Sequence, residues 1–79
     1  MMPKVGNKVR LERDETKYPV RGSWARNRGK TATVVEINRA GKGPTEYAVA
    51  FGRLTPDEDG RYHTTDKTWF RAWELRVIR

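Results

Sequence analysis

Residues 30–37 limit the possible folds of this chain more than any other segment. Five of these eight residues are β-branched, and branched side chains favour extended backbone. Gly29 precedes the segment, and residues 38–44, with two glycines and a proline, form a turn. Residues 45–51 then predict a second strand that places three large side chains on one face: Tyr47, Val49 and Phe51. Together the two segments predict a β-hairpin.

The rest of the chain predicts three shorter strands and two loops. Residues 8–13 alternate polar and apolar side chains, with Val9 and Leu11 as the buried pair. Short strands follow at 67–71 and 76–79, separated by one helical turn at 72–75. The loops cover residues 14–29, which show little periodicity, and residues 52–66, whose acidic run and glycine indicate a solvated segment.

Five short strands predict an all-β fold, a small five-stranded antiparallel SH3-like barrel with one short helical turn near the C-terminus. The domain spans residues 1–79, since a chain of this length encloses a single apolar core. Closure into a barrel removes the exposed edges of a flat sheet. The alternatives are an open meander and an OB-like barrel, which usually needs a longer chain.

The charge of the chain indicates an acidic partner. The net charge is +7, and residues 1–50 hold eleven bases against five acids, a balance that attracts polyanions and favours a monomer. The chain has no cysteine, which excludes disulfides and thiolate zinc sites and favours the cytoplasm. No apolar stretch is long enough to span a bilayer, so no membrane partner is expected.

Four segments of the chain resemble bacterial SH3-like barrels of the KOW-like type: residues 6–11, 29–37, 47–51 and 69–75. The resemblance covers most of the chain and implies the barrel fold. It also implies a binding role, because such domains bind RNA, DNA, RNA polymerase partners, or methylated or proline-rich peptides. A shared fold does not choose among these ligands.

The inventory of reactive side chains argues against an enzyme. His63 is the only histidine and Ser23 the only serine, and a Ser23–His63–Asp66 arrangement is interpreted as three solvated loop residues. The run 57–59 lacks the spacing of an EF-hand, and residues 29–31 lack the first glycine of a P-loop. We therefore expect no catalytic residue, no metal site and no cofactor.

Residues 21–30 carry the strongest functional signal, four positive charges around one tryptophan on a loop with two glycines. Guanidinium groups pair with phosphates, and an exposed indole stacks on a base. The predicted nucleic-acid-binding residues are Arg21, Trp24, Arg26, Arg28, Lys30, Arg39 and Lys42. Binding to DNA or RNA would contact the backbone with little sequence selectivity. In the alternative interpretation, Trp24 folds back onto the barrel and the arginines only solubilise it.

A second function remains open, that of a protein-interaction module of the accessory or phage regulatory kind. Trp69 and Trp73 lie near the final turn, where SH3-like domains present an aromatic groove. Adjacent strand residues face opposite sides, so at least one of these rings is expected to be partly exposed. A barrel this small also needs large rings in its core, so core positions are preferred to a ligand site for three residues: Trp69, Phe70 and Trp73.

Overall fold

The computed structural model describes residues 2–39, 41 and 43–78. It contains five strands, one short α-helix and one 3-10 helix: β1 (Lys8–Leu11), α1 (Ser23–Asn27), β2 (Thr31–Asn38), β3 (Glu46–Ala50), β4 (Thr68–Arg71), the 3-10 helix (Ala72–Glu74) and β5 (Leu75–Ile78). The strands form one antiparallel sheet in the order β4-β3-β2-β1-β5. This confirms the all-β, five-stranded fold with a helical turn before the last strand.

The segment predicted as a structureless loop contains the short helix α1. It begins after Gly22, whose φ of 62° suits glycine, and residues 23–27 make little more than one turn. A helix of this length is too short to show a 3.6-residue pattern in the sequence. In the described part of the chain, no helix is long and apolar enough to cross a membrane.

One face of the sheet packs on the main core. Five side chains are completely buried there: Val9, Leu11, Val34, Tyr47 and Val49. This confirms the predicted buried pair of the strand at residues 8–13 and two of the three predicted core positions of the strand at residues 45–51. Phe51 is the exception: β3 ends at Ala50, and the Phe51 ring just beyond it is 38% exposed. The prediction that Phe51 belongs to the core is wrong.

A second apolar cluster lies on the other face of β2 and β3. Adjacent strand residues face opposite sides, so Val34 packs in the main core while Val35 packs with Ala48 and Ala50. The register between the strands shifts between Val34 and Glu36, and beyond this bulge Ile37 packs against the main core. Such a bulge bends a strand and redirects its side chains. Two residues of the 52–66 segment, Leu54 and Tyr62, pack against this cluster. The segment predicted to be solvated therefore covers part of the sheet.

Candidate nucleic-acid interface

Trp24 is a structural residue of the barrel. Its side chain is 3% exposed and belongs to the main core, where its ring meets Phe70 edge-on. The indole Nε1 donates a hydrogen bond of 2.8 Å to Glu15, and the Arg13 guanidinium lies 4.3 Å from the ring centroid. A ring enclosed in this way cannot stack on a base. The prediction of an exposed Trp24 is wrong, and the alternative interpretation, in which Trp24 folds back onto the barrel, matches the structure.

The described cations of the predicted site are exposed, but Arg39 lies apart from those around Trp24. Arg21, Arg26, Arg28 and Lys30 all face solvent, and Arg28 pairs with Glu15 at 2.5 Å. Arg39 is exposed too, but it follows the far end of β2, roughly 25 Å of strand away from Lys30. It therefore does not extend the surface at the start of that strand. Lys42 lies outside the described residues.

A basic hollow lies on the outer face of β1, at a place that the sequence analysis did not single out. We call it the Lys8 hollow, and it has a volume of about 230 Å³. Lys8 pairs with Thr33 across the β1–β2 ladder, and Arg10 pairs with Thr31. The residues that line the hollow are Lys8, Thr31, Ala32, Thr33 and Gly52. An ammonium group beside threonines and an exposed glycine backbone suits a phosphate oxygen.

An exposed aromatic ring lies next in sequence to the lining of the Lys8 hollow, although it is not itself part of that lining. Phe51 directly precedes Gly52, and Lys30 directly precedes Thr31. The Lys30 Nζ lies 5.6 Å from the centroid of the Phe51 ring. A partly exposed ring next to a cation is the arrangement expected of a base-stacking contact, which Trp24 cannot supply.

The carboxylate of Glu12 partly neutralises the positive charge at one side of this surface. Arg10 lies opposite Arg76 across the β1–β5 ladder, and Glu12 contacts both guanidinium groups, at 3.3 Å and 3.4 Å. In the described part of the chain, neither Lys8 nor Lys30 makes an ion pair. On this surface the charge available to an anion is therefore that of Lys8 and Lys30.

The two tryptophans of the alternative hypothesis are both exposed, and they have different surroundings. Trp69 is 36% exposed on β4, with the Lys67 ammonium 5.6 Å from its ring. Trp73 is 50% exposed on the 3-10 helix and stacks on Tyr18, with a centroid separation of 6.1 Å. Of the three aromatic residues at 69–73, only Phe70 is buried. The core assignment is therefore wrong for Trp69 and Trp73, while the expectation that at least one of these two rings is partly exposed is confirmed.

The acidic turn at residues 57–61 binds its own backbone. Asp57 Oδ1 accepts hydrogen bonds from the amides of Asp59 and Arg61, and Oδ2 lies 2.6 Å from the His63 ring. The His63 hydrogen bond, followed by that from the Arg61 amide, lowers the pKa of Asp57 below its usual 3.8. His63 thus contacts Asp57, not the Asp66 of the imagined triad. Within residues 2–39, 41 and 43–78 no three potential metal-ligating side chains group together.

Comparison with known proteins gives the family. A sequence model described as "Mycobacteriophage gene 51 protein" matches residues 2–79. The chain belongs to the mycobacteriophage gene 51 protein family. It is 48% identical over 72 residues to the Gene 51 protein of Mycobacterium phage D29, covering 91% of this chain and 92% of that one. It is also 48% identical over 48 residues to the Gene 51 protein of Mycobacterium phage L5, covering 61% of this chain and 70% of that one. No solved structure matches the chain.

Membership of the gene 51 family overturns the resemblance to bacterial KOW-like barrels. The family match extends over nearly the whole chain. KOW-like domains carry a G-x-x-G segment at the start of their second strand, and Ala32 stands where the second glycine of that segment would be. This residue is 6% exposed in β2 and pairs with Val9 in the core. It occupies a regular strand position, whereas the motif glycine permits a tight bend. The barrel topology stands without the KOW assignment.

Proposed function

We propose that this gene 51 family protein is a non-enzymatic nucleic-acid-binding module that uses the surface around the Lys8 hollow. The observation that carries the proposal is the exposed Lys8 of the hollow, together with the contact between the Lys30 ammonium and the exposed Phe51 ring, two residues directly next in sequence to its lining. A phosphate in the hollow meets Lys8, while the adjacent base lies against Phe51. The protein acts as a monomer in the cytoplasm.

The charge of the chain supports a polyanionic ligand. A net charge of +7 on a 79-residue protein draws polyanions from a distance and keeps copies of the protein apart. Lys8 and Lys30 are exposed and lack ion pairs in the described part of the chain, so binding a phosphate breaks no salt bridge. Contacts of this kind read the backbone and give little sequence selectivity.

The experiment is a fluorescence anisotropy titration with labelled single-stranded DNA, duplex DNA and RNA, at several salt concentrations. Each lysine that neutralises a phosphate contributes close to one unit to the slope of log K against log salt. The double variant Lys8→Gln/Lys30→Gln is expected to bind more weakly and to lose roughly two units of that slope. The matched control is Lys17→Gln/Arg39→Gln, which removes the same charge from exposed positions away from the hollow.

The control distinguishes binding at the Lys8 hollow from non-specific attraction by the net charge of the whole protein. If the two double variants weaken binding equally, the net charge alone is responsible and the Lys8 hollow is not the site. If the unmodified protein binds none of the three nucleic acids at ~50 mM salt, where electrostatic binding is strong, the proposed function is wrong.

A further inference from the structure

The most exposed aromatic pair of the described residues is held in a fixed position. Trp73 and Tyr18 stack with an interplanar angle of 22°, and half of the Trp73 surface faces solvent. One ring comes from the 3-10 helix and the other from the segment after β1. We call these two rings, with the neighbouring Lys17 and Arg71, the Tyr18–Trp73 surface.

Two largely buried side chains, Arg13 and Glu74, hold the backbone on both sides of this surface. Arg13 donates from Nη1 to Glu74 Oε2 at 2.8 Å and from Nη2 to the Pro19 carbonyl at 2.9 Å. Glu74 also accepts a hydrogen bond from the Arg71 amide at 2.9 Å. The two side chains are only 15% and 14% exposed. The backbone on both sides of the ring pair is therefore anchored, and little ordering cost remains when a partner binds.

The two cations beside the rings make no ion pair. The Lys17 Nζ lies 5.6 Å from the Tyr18 ring centroid, and the Arg71 Cζ lies 5.9 Å from the Trp73 centroid. Among the described residues neither Lys17 nor Arg71 makes an ion pair, although Glu46 lies opposite Arg71 across the β3–β4 ladder and the Asp14 carboxylate interacts with Lys17 through space. Both cations can therefore pair with carboxylates that an occupant brings.

We propose that the Tyr18–Trp73 surface binds a protein partner through a short acidic segment with an apolar anchor residue. Preorganised Trp, Tyr and Arg side chains are the usual centre of protein–protein interfaces. The apolar anchor packs on the exposed part of Trp73, and carboxylates on either side of it meet Lys17 and Arg71. A nucleic acid is the competing occupant of these rings, and displacement by single-stranded DNA is therefore one arm of the test.

The test uses a synthetic peptide of alternating glutamate, leucine and phenylalanine as the probe, with a glutamine-for-glutamate version as its neutral control. Titration into the labelled protein, followed by two-dimensional NMR, reports on the indole N–H of Trp73. We expect this signal to shift with the acidic peptide and to remain fixed with the neutral one. Trp73→Ala should weaken binding by about tenfold or more, and Lys17→Glu, which leaves both rings in place, should weaken it most at low salt.

The Lys8→Gln/Lys30→Gln variant is the matched control, because it removes two cations and leaves the Tyr18–Trp73 surface unchanged. It should bind the acidic peptide with unaltered affinity, whatever happens to its nucleic-acid binding. The proposal is overturned if the two peptides bind equally, if neither shifts the Trp73 signal, or if single-stranded DNA displaces the acidic peptide from the rings. None of these results bears on binding at the Lys8 hollow.

Discussion

Arg13 and Glu74 are 61 residues apart in sequence and joined by a hydrogen-bonded ion pair of 2.8 Å in the structure. The same guanidinium packs over Trp24 and bonds to the carbonyl of Pro19. One side chain thus ties the end of β1, the following loop and the 3-10 helix together. The positions of Trp24 and Trp73 both depend on this contact.

Replacing Arg13 by alanine should lower the free energy of unfolding by about 2 to 3 kcal/mol, because Glu74 is left as a largely buried and unpaired charge. The matched control is Arg10→Ala, which removes an exposed pair with Glu12 at 3.3 Å and should cost no more than about 0.5 kcal/mol. Urea unfolding followed by circular dichroism measures both. Equal losses in the two variants would show that the Arg13–Glu74 pair does not brace the fold.

Trp24 and Phe51 should respond in opposite ways to substitution. Trp24→Ala opens a cavity in the core and should destabilise the protein by about 3 to 5 kcal/mol. Phe51→Ala should change stability by less than about 1 kcal/mol, since its ring is partly exposed, yet weaken single-strand binding by about 1 to 3 kcal/mol through lost stacking. Thermal unfolding and an oligonucleotide titration test the pair. Unaltered binding by a folded Phe51→Ala variant would remove the ring from the interface.

Tyr47→Phe should stabilise the protein by about 1 kcal/mol. The Tyr47 hydroxyl is buried, and no hydrogen-bond partner for it is present among the described residues. A buried hydroxyl without a partner carries an uncompensated desolvation cost of this order. Chemical denaturation of the two proteins measures the difference. A loss of stability on removing the hydroxyl would mean that it is hydrogen-bonded in solution, for example by a buried water.

The turn at residues 57–61 should loosen in acid. The carboxyl of Asp57 has a pKa below 3.8, first because of its hydrogen bond with His63 and next because of the Arg61 amide. A folded pKa below the unfolded value means that the stabilisation is complete above pH ~4 and is lost as pH falls through the folded pKa. The amide NMR signals of Asp59 and Arg61 should move together in that range. In Asp57→Asn this titration should be absent.

Local patterns in the sequence were sufficient to predict the strands. β-Branched residues and period-two alternation identify β2 and β3 within one residue of their ends, because those preferences act over a few neighbouring residues. The bulge at Val34 and Glu36 was not predicted. A bulge depends on how two faces of the sheet are covered, and the covering residues Leu54 and Tyr62 come from a distant segment with a polar composition.

The candidate site was harder to predict than the fold, for a physical reason. Basic composition marks a loop as cationic, but whether a tryptophan within it is exposed depends on partners elsewhere, here Glu15, Arg13 and Phe70. The Lys8 hollow needs β1, β2 and Gly52, two residues beyond the end of β3, to come together. One sequence feature did point to this surface: the alternation of polar and apolar residues at 8–13 places Lys8 and Arg10 on the same, solvent-facing side of β1.

The pairing of β1 with β5 imposes an order of assembly during synthesis. Lys8 lies opposite Ile78 and Leu11 opposite Leu75. Both edges of β1, the first of the five strands to be translated, are therefore hydrogen-bonded only after β5, the last of the five, has been made. Contacts between such distant residues form slowly. Until residues 75–78 leave the ribosome, one edge of β1 stays open to other chains, and a nascent chain that stalls before them cannot close its barrel.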